Sequence, residues 1–384
     1  MEVTTRNDSN VLYTKYRPIN FDDIIGQEHI VRILKNSIIK NGLVHSYLFS
    51  GIRGTGKTTT ARILARYLNC KNPQGYNPCN ECANCVDILN NKGSYIDIEE
   101  IDAASNRGVD DARKLRERII YRPQRGHKVI IIDEAHQLTS EASQALLKTF
   151  EEPPDKTTFI LCTTEPQQIL DTIHSRCQSL SFKPVGVSQI QEHIQYIAES
   201  EGWKISEEVC YHIALLANSS VRDAISQLNK ISSCVDEDGA MNDEDALMLL
   251  GAVSRECVYL YLNAIATSDI PGVFKVIDSV INSGASLQFF LRDVMVLVKD
   301  LMCLKACKNA DLLNSTEKEK RIMVKFLGSL NSLALLNTLL TIMDNCYGKT
   351  IDRKNLPIDV ILIEASMNMI SKVATFKKRE GLDK

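Results

Sequence analysis

The first half of the chain alternates short apolar runs with amphipathic stretches that have the spacing of helices. The apolar runs of strand length lie at 46–50, 95–101, 129–132 and 158–162. Continuous apolar runs between helical stretches are typical of a mostly parallel sheet that is buried by helices. This pattern predicts an α/β domain with a parallel sheet.

Apolar runs of strand length stop after about residue 184. Amphipathic segments at 188–201 and 207–217 take their place and predict a small helical domain. From about residue 251 onward, further helical segments predict a separate all-helical domain, with breaks at 268–271, 283–285, 309–315 and 356–357. We therefore expect three domains, at 1–184, 185–250 and 251–384.

The composition of the chain agrees with a folded protein of several domains. Its 384 residues exceed one ordinary core, because a domain contains about 150 residues on average. Hydrophobic residues make up 44% of the sequence, which is typical of globular proteins. The first ten residues are polar, and no run of about 18 apolar residues occurs. We therefore expect a cytoplasmic protein that contacts no membrane.

The net charge of −3 limits the ways in which the chain can contact nucleic acid. Proteins that bind nucleic acid over much of their surface carry an excess of Lys and Arg. This sequence has 45 basic and 48 acidic residues. Any contact with DNA must therefore come from a local face.

A phosphate-binding loop follows the first apolar run. The pattern G-x-x-x-x-G-K-[ST] lies between an apolar strand and a helix, which is the context that this motif requires. Its residues are Gly51, Ile52, Arg53, Gly54, Thr55, Gly56, Lys57 and Thr58, followed by Thr59. Backbone N–H groups of such a loop face the phosphates of ATP, the lysine reaches phosphate oxygens, and Thr58 reaches Mg²⁺. The alternative is a glycine-rich turn that binds no ligand.

The third apolar run ends in two acidic residues. Asp133 is placed to hold Mg²⁺ at the end of the strand. Glu134 follows it and is placed to act as general base on a water molecule. Thr164 follows the run 158–162 and would orient the same water from a neighbouring strand. The alternative is that the two carboxylates cap the next helix.

Two arginines are candidates for binding the charge of the γ-phosphate. They are Arg176, in the sequence Ser-Arg-Cys, and Arg222, in the sequence Ser-Val-Arg-Asp. Arginine suits this role because its guanidinium group binds phosphate through several N–H donors. Taken alone, an arginine is more often part of a surface ion pair.

Four of the twelve cysteines are clustered in the sequence. Cys70, Cys79, Cys82 and Cys85 have the spacing C-x8-C-x2-C-x2-C, in a segment rich in Asn, Pro and Gly. Four thiolates at this spacing can surround one tetrahedral Zn²⁺ ion, and a site with four protein ligands is structural. The alternatives are an Fe–S cluster and redox-active C-x-x-C pairs.

The order of these motifs resembles the gamma/tau family of bacterial DNA polymerase III, whose members are AAA+ clamp-loader ATPases. Besides the motifs already described, the matching residues lie at 15–18, 21, 25–28, 45–51, 101–105, 145–154, 175–177 and 221–224. The resemblance implies an AAA+ P-loop domain with a parallel sheet, a small helical lid domain and an all-helical collar domain. An intact phosphate site favours gamma/tau over the delta-prime subunit, which typically lacks one.

The resemblance also implies roles for single residues. The residues beside the adenine and ribose of ATP would be Tyr16, Arg17 and Pro18. Thr164 would be the first sensor residue and Arg222 the second. Arg176 would be an arginine finger that reaches into the ATP site of the neighbouring subunit. Because the sequence ends at Lys384, the resemblance is to the short form of the family.

In that family, the collar holds a five-subunit ring in which copies of this subunit join the delta and delta-prime subunits. ATP binding opens and grips the sliding clamp, and hydrolysis triggered by primed DNA releases the clamp around the DNA. Contact with the DNA is made mostly to its phosphate backbone. The resemblance thus implies Mg²⁺-dependent ATP hydrolysis without polymerisation by the chain itself. Two other interpretations are an AAA+ DNA-remodelling motor, such as a branch-migration helicase, and a non-enzymatic zinc-bearing scaffold.

Overall fold

The structure is a computed structural model, and it describes residues 11–90, 95–307, 323–324, 332–352 and 358–380. The chain divides into two compact units. The first consists of Met1–Ile197 and Ile213–Asn229, and the second of Ala198–His212 and Lys230–Lys384. The predicted helix breaks at 309–315 and 356–357 lie outside the described residues. The three predicted domains stay a prediction.

A five-stranded parallel sheet forms the centre of the first unit. Its strands are β1 (Ser46–Ser50), β2 (Ile98–Asp102), β3 (Lys128–Asp133), β4 (Thr157–Thr163) and β5 (Gln178–Ser181). The order across the sheet is β2-β3-β4-β1-β5, and all neighbours are parallel. Because β1 and β3 both pair with β4, the carboxyl ends of these three strands meet at one edge of the sheet.

Helices cover both faces of this sheet. The first seven are α1 (Leu12–Lys15), α2 (Glu28–Ile39), α3 (Lys57–Leu68), α4 (Ala83–Asn90), α5 (Val109–Ile119), α6 (Ser140–Glu151) and α7 (Asp171–His174). Tyr47 and Phe49 of β1 share a core cluster with residues of α2 and α3, whereas Leu48 shares another with residues of α5 and α6. Burial of both faces explains why the strands appear in the sequence as continuous apolar runs.

The sheet confirms three predicted strands to within one residue at each end and corrects the fourth. β2 begins at Ile98 and not at residue 95. The prediction was wrong there because the backbones of Tyr95 and Ile98 exchange two hydrogen bonds, of 3.4 and 2.9 Å, that close a turn before the strand. β5 was not predicted from the sequence, because only Leu180 among its four residues is buried.

Helical structure follows the sheet, as predicted. Three helices lie between residues 187 and 231, namely α8 (Val187–Ser200), α9 (Glu207–Leu216) and α10 (Val221–Ile231). The later helices are α11 (Asp243–Leu250), α12 (Arg255–Thr267), α13 (Ile270–Asn282), α14 (Leu287–Cys307), α15 (Leu333–Asp352) and α16 (Ile358–Glu380). The predicted breaks at 268–271 and 283–285 separate α12, α13 and α14 and are confirmed.

The described helices of the second unit from α12 to α16 share one apolar core. Tyr261 of α12 packs edge-to-face on Phe290 of α14, with the ring centroids 5.1 Å apart. The Tyr261 hydroxyl lies 2.7 Å from the hydroxyl of Ser366 in α16, so this buried polar pair is satisfied. No helix in the described part of the chain is long and apolar enough to cross a membrane. The observed architecture confirms the predicted fold class, an α/β domain with a parallel sheet followed by helical regions.

Candidate nucleotide site and metal centre

A cavity of about 510 Å³ opens at the edge of the sheet where β1 and β3 end. Most of the residues predicted for ATP binding line it, and they are Tyr16, Arg17, Pro18, Arg53, Gly54, Thr55, Gly56, Lys57, Thr58, Thr59, Asp133, Glu134 and Arg222. Gly51, Ile52, Thr164 and Arg176 were also predicted as site residues but do not line this cavity. A cavity of this volume is within the range of small-molecule sites.

The loop between β1 and α3 has the form that the motif predicts. Gly56 precedes α3 with φ +100°, a left-handed conformation that favours glycine. Lys57, Thr58 and Thr59 at the start of α3 line the cavity, and the N–H groups of a helix N-terminus can donate to an anion. Lys57 is buried, and its Nζ donates to the carbonyls of Gly51 at 2.7 Å and Ile52 at 2.9 Å. Burial lowers the pKa of Lys57.

Thr58 and Asp133 line the cavity side by side and are in direct contact. The Thr58 hydroxyl donates to Asp133 Oδ2 at 2.9 Å. Burial raises the pKa of Asp133, while the donors Thr58 Oγ1 and the Glu134 N–H act against this shift. The two predicted Mg²⁺ ligands come from sequence positions 75 residues apart, and the structure brings their oxygens into contact distance. Oxygen ligands of this kind are those that Mg²⁺ prefers.

Glu134 occupies a strained position directly after β3. Its φ of +47° is uncommon for a residue other than glycine and is often found at functional sites. Thr164, at the end of β4, donates a hydrogen bond to Glu134 Oε2 at 3.2 Å. His136 Nδ1 lies 3.6 Å from the same oxygen and 3.1 Å from the Thr163 hydroxyl. The carboxylate of Glu134 is therefore held between two strand ends.

The start of α10 is joined to the phosphate-binding loop. The Val221 N–H donates to the Gly54 carbonyl at 3.1 Å. A side chain at Gly54 would overlap the hydroxyl of Ser220 and lie 2.8 Å from its Cβ, so this close approach requires glycine. Arg222 follows in α10 and lines the cavity, with its guanidinium carbon 5.3 Å from the centre of the Tyr13 ring. The prediction that Arg222 lies near the phosphate site agrees with this placement.

Several residues of the cavity were not predicted from the sequence. The additional lining residues are Tyr13, Ile24, Ile25, Arg62, Glu100, Asp102, His193, Val221 and Ile225. Among them, Arg62 of α3 forms a bidentate ion pair with Glu100 of β2, with N–O distances of 2.7 and 2.6 Å. Asp102 in β2 is in register with Asp133 in β3. The acidic end of the apolar run at 95–101 was the sequence signal that could have identified Glu100 and Asp102.

Arg176 lies on the first unit but away from this cavity. Its side chain forms an ion pair with Glu151 at the end of α6. Its Nη1 also donates to the Thr172 carbonyl at 2.5 Å. About a third of the side chain is exposed to solvent. Within one chain, the guanidinium group of Arg176 is therefore paired with the carboxylate of Glu151 at the protein surface.

The four clustered cysteines come together around one point. All four Sγ atoms lie within 4.8 Å of one another, with Cys70 and Cys79 3.4 Å apart. Four sulfurs around a tetrahedral Zn²⁺ at Zn–S distances of about 2.3 Å are about 3.8 Å apart, so the cluster fits such an ion. Burial raises the pKa of the Cys82 thiol, but hydrogen bonds from the backbones of Lys71 and Cys85 and from the side chains of Cys85 and Cys79 together lower it to about 6. Burial raises the pKa of the Cys70 and Cys85 thiols. Thiolates are the form in which cysteine binds metals.

Backbone geometry supports the same cluster. The Cys79 N–H donates to Cys70 Sγ, and the Cys82 N–H donates to Cys79 Sγ, each at 3.3 Å. Asn80 between these ligands has φ +60°, which turns the chain back toward the cluster. These contacts orient the sulfurs before any metal is bound, and they identify the cluster as a candidate metal centre.

Known protein families match two parts of the chain. Residues 26–186 match the family model described as DNA polymerase III, delta subunit. Residues 241–342 match the model for domain III of the DNA polymerase III subunits gamma and tau. The Holliday junction branch migration motor RuvB of Thermotoga maritima has a TM-score of 0.47 and 19% identity, over 65% of this chain and 79% of that one. A similarity of this degree does not extend to function.

Curated relatives match a larger part of the chain. The DNA polymerase III subunit gamma/tau of Mycoplasma genitalium is 41% identical over 80% of this chain and 51% of its own length. The DNA polymerase III subunit tau of Bacillus subtilis is 40% identical over 77% of this chain and 52% of its own length. The chain thus spans about half the length of these relatives. With this level of identity over more than two thirds of its length, the chain belongs to the gamma/tau family of DNA polymerase III subunits.

Proposed function

We propose that this chain is an ATP-driven subunit of the clamp loader of bacterial DNA polymerase III. In this proposal it binds ATP with Mg²⁺ in the cavity, hydrolyses it and thereby loads a sliding clamp onto primed DNA. Its partners would be the delta and delta-prime subunits and further copies of itself in a five-subunit ring. Family membership supports the proposal, and the geometry of the cavity supports the chemistry.

The hydrogen bond between Thr58 and Asp133 is the observation that carries the nucleotide site. In a P-loop ATPase, the Thr or Ser of the loop and the acid at the strand end share one Mg²⁺. Here the two oxygens lie 2.9 Å apart at the floor of the cavity. When bound, Mg²⁺ would neutralise charge on the β- and γ-phosphates. The residues that would hold it are Thr58 and Asp133.

The other side chains have separate tasks in this proposal. Lys57 would exchange its two carbonyl acceptors for phosphate oxygens, since its Nζ already lies inside the loop. Glu134 would accept the proton of the attacking water, and Thr164 would hold its carboxylate in position. Arg222 would contact the phosphates from the side of α10. Tyr16, Arg17 and Pro18 would lie beside the adenosine.

Arg176 would act on the site of a neighbouring copy. Its guanidinium is partly exposed and does not line the cavity of its own chain, which is compatible with action in trans. An exposed ion pair such as that with Glu151 contributes at most about 1 kcal/mol. Releasing Arg176 toward a γ-phosphate in the next subunit would therefore cost little. Hydrolysis would then depend on assembly of the ring.

The cysteine cluster would bind Zn²⁺ as a structural site. We expect Cys82→Ser to lose the metal and to lower the thermal unfolding midpoint of the chain, because bound metal stabilises the folded form. The matched control is Cys177→Ser, at a half-buried thiol outside the cluster, which should lower the midpoint without changing the metal content. A full complement of zinc in Cys82→Ser by elemental analysis would contradict a site with four protein ligands.

Retention of the clamp on DNA tests the proposal most specifically. The chain is assembled with delta and delta-prime subunits and mixed with labelled sliding clamp, ATP and primed circular DNA. We expect the clamp to co-elute with the DNA on gel filtration, and we expect assembly with Lys57→Ala to abolish this. Strand separation of the DNA with no retained clamp would instead favour a DNA-remodelling motor.

A further inference from the structure

The loop that joins the clustered cysteines also contacts a wall of the nucleotide cavity. Asp22 accepts two hydrogen bonds from this loop, from the Tyr76 hydroxyl at 2.6 Å and from Asn77 Nδ2 at 2.7 Å. In return, the Phe21 N–H donates to Asn77 Oδ1 at 2.9 Å. Hydrogen bonds to a carboxylate are stronger than those between neutral groups. The cysteine loop thus fixes the backbone and a side chain of the segment at 19–24.

A further contact starts between two of the cysteines. Asn80 lies between Cys79 and Cys82, and its Nδ2 donates to Asn20 Oδ1 at 2.8 Å. The same residue has φ +60°, so its turn and its hydrogen bond depend on one backbone conformation. A change in the position of Cys79 or Cys82 would therefore be transmitted to Asn20.

Arg66 of α3 also contacts the same segment. It is 4% exposed, and its Nη2 donates to the Ile19 carbonyl. Because α3 ends shortly before Cys70, this hydrogen bond ties the segment at 19–24 to the helix that leads into the cysteine loop.

The segment at 19–24 is continuous with the cavity wall on both sides. Pro18 before it and Ile24 at its end both line the cavity, as do Tyr16 and Arg17. Phe21 is buried in the core cluster that also contains residues of α2 and α3. The cavity wall that contains Pro18 and Ile24 is therefore anchored partly by the apolar core and partly by the cysteine loop.

We propose that the cysteine loop positions the adenosine side of the nucleotide cavity, so that the contacts of this loop with the segment at 19–24 are coupled to the affinity for nucleotide. Tyr76, Asn77 and Asn80 are positioning residues in this account, because they act through the segment at 19–24 and do not line the cavity themselves. This inference rests on the proposed function, since it assumes that the cavity binds ATP. The contacts of the cysteine loop are made with the segment at 19–24, so we expect the phosphate side, formed by the loop before α3, to be affected much less.

Two probes separate the coupling from a general loss of stability. MgATP requires both sides of the cavity, whereas inorganic tripolyphosphate requires only the phosphate side. We expect Asp22→Ala to weaken MgATP binding about tenfold, because the segment at 19–24 then loses two of its hydrogen bonds to the cysteine loop. Competition by tripolyphosphate for the same site should change less than about twofold, and zinc content should stay complete.

The loop itself offers a milder variant and a matched control. Tyr76→Phe removes only the hydroxyl that donates to Asp22 and retains the ring that packs 4.1 Å from Lys35 Nζ. It should weaken MgATP binding about threefold, which keeps the test valid if Asp22→Ala does not fold. Gln74→Ala changes an exposed side chain of the same loop and should leave both affinities unchanged.

The outcomes distinguish this inference from the proposed function. Unchanged MgATP affinity in folded, zinc-loaded Asp22→Ala or Tyr76→Phe would overturn the coupling. An equal loss of affinity for MgATP and tripolyphosphate would also overturn it, because a general structural defect would explain the result. Failure of the wild-type chain to bind MgATP would instead contradict the proposed function, and the coupling with it.

Discussion

Thr164 donates a hydrogen bond of 3.2 Å to Glu134, and this contact joins the carboxyl ends of β4 and β3 at the edge of the nucleotide cavity. Neither residue belongs to the phosphate-binding loop. Glu134 has a left-handed backbone, with φ +47°, that the surrounding structure must maintain. The contact therefore links the position of the proposed general base to a residue on the neighbouring strand.

Replacement of Glu134 or Thr164 should lower the rate of ATP hydrolysis without weakening the binding of MgATP. We expect Glu134→Gln to lower the rate of ATP hydrolysis by about 100-fold or more, because it removes the base. Thr164→Val should lower it about tenfold, because the carboxylate loses one positioning hydrogen bond. The dissociation constant for MgATP should stay within about twofold in both, as measured by fluorescence titration. Undiminished hydrolysis in Glu134→Gln would refute the assignment.

Arg176 and Glu151 form an ion pair whose two members should behave differently. Arg176→Ala should leave MgATP binding to the isolated chain unchanged and lower hydrolysis in the assembled ring by about 100-fold or more. Glu151→Ala removes the carboxylate partner and should leave hydrolysis within about twofold. The measurement is steady-state hydrolysis with and without the partner subunits. An equal loss in the isolated chain and in the ring would argue against action in trans.

Two glycines of the phosphate-binding loop should differ in their tolerance of alanine. Both have positive φ, +78° at Gly54 and +100° at Gly56, so each substitution costs about 1 kcal/mol in backbone strain. At Gly54 a methyl group would also overlap Ser220, whereas at Gly56 the nearest atom is Ile24 Cγ2 at 3.9 Å. Gly54→Ala should therefore lose about 1–3 kcal/mol more stability than Gly56→Ala.

Thermal unfolding without nucleotide measures this difference, because no ligand then occupies the loop. Adding Ser220→Gly to Gly54→Ala should recover the part of the loss that comes from overlap and leave the part that comes from backbone strain. Equal thermal midpoints for Gly54→Ala and Gly56→Ala would show that Ser220 does not clash with a methyl group at position 54.

Asp293 in the second unit should make stability depend on pH. Burial raises its pKa from a usual value near 3.8 to about 7, although Arg292 and Arg255 act against the shift. Between these values the folded chain holds a proton that the unfolded chain has lost, so this contribution to stability falls as pH rises from about 4 to about 7. Asp293→Asn should therefore be more stable than the wild type at pH 8, by about 2 kcal/mol, and equal to it near pH 4.

A neighbouring histidine acts in the opposite direction over part of this range. His212 Nδ1 lies 3.9 Å from Asp293 Oδ2, and burial lowers the pKa of His212 to about 4. The contribution of His212 to stability therefore increases from about pH 4 to 6.5. The difference in stability between Asp293→Asn and the wild type is therefore clearest above pH 6.5. Asp278→Asn, at an exposed acid of α13, is the control. A thermal midpoint of Asp293→Asn that lies below that of the wild type at pH 8 would contradict the account.

The sequence predicted those parts of the site that depend on local motifs. The phosphate-binding loop, Asp133 and Glu134 follow strands that are buried on both faces, and such strands appear as clear apolar runs. The four cysteines were predicted from their spacing. Each of these signals lies within a short stretch of chain, so no knowledge of the tertiary structure was needed.

The remaining parts of the site depend on tertiary packing. Ser220 and Val221 reach Gly54 from more than 160 residues further along the chain, and no local pattern indicates this contact. Glu100 lies at the acidic end of an apolar run, but its place in the cavity depends on the order of the strands, which puts β2 beside β3. The contact of Tyr76 with Asp22 likewise depends on how the cysteine loop folds back on the chain.

Steady-state ATP hydrolysis by the reconstituted ring is the most direct test of the central claim. The ring contains this chain with its delta and delta-prime partners, and hydrolysis is measured with no addition, with primed DNA alone, and with sliding clamp plus primed DNA. We expect marked stimulation only when the clamp and primed DNA are both present, and none in a ring that carries Glu134→Gln. Full stimulation by DNA alone, with strand separation and no dependence on the clamp, would contradict the assignment as a clamp-loader subunit.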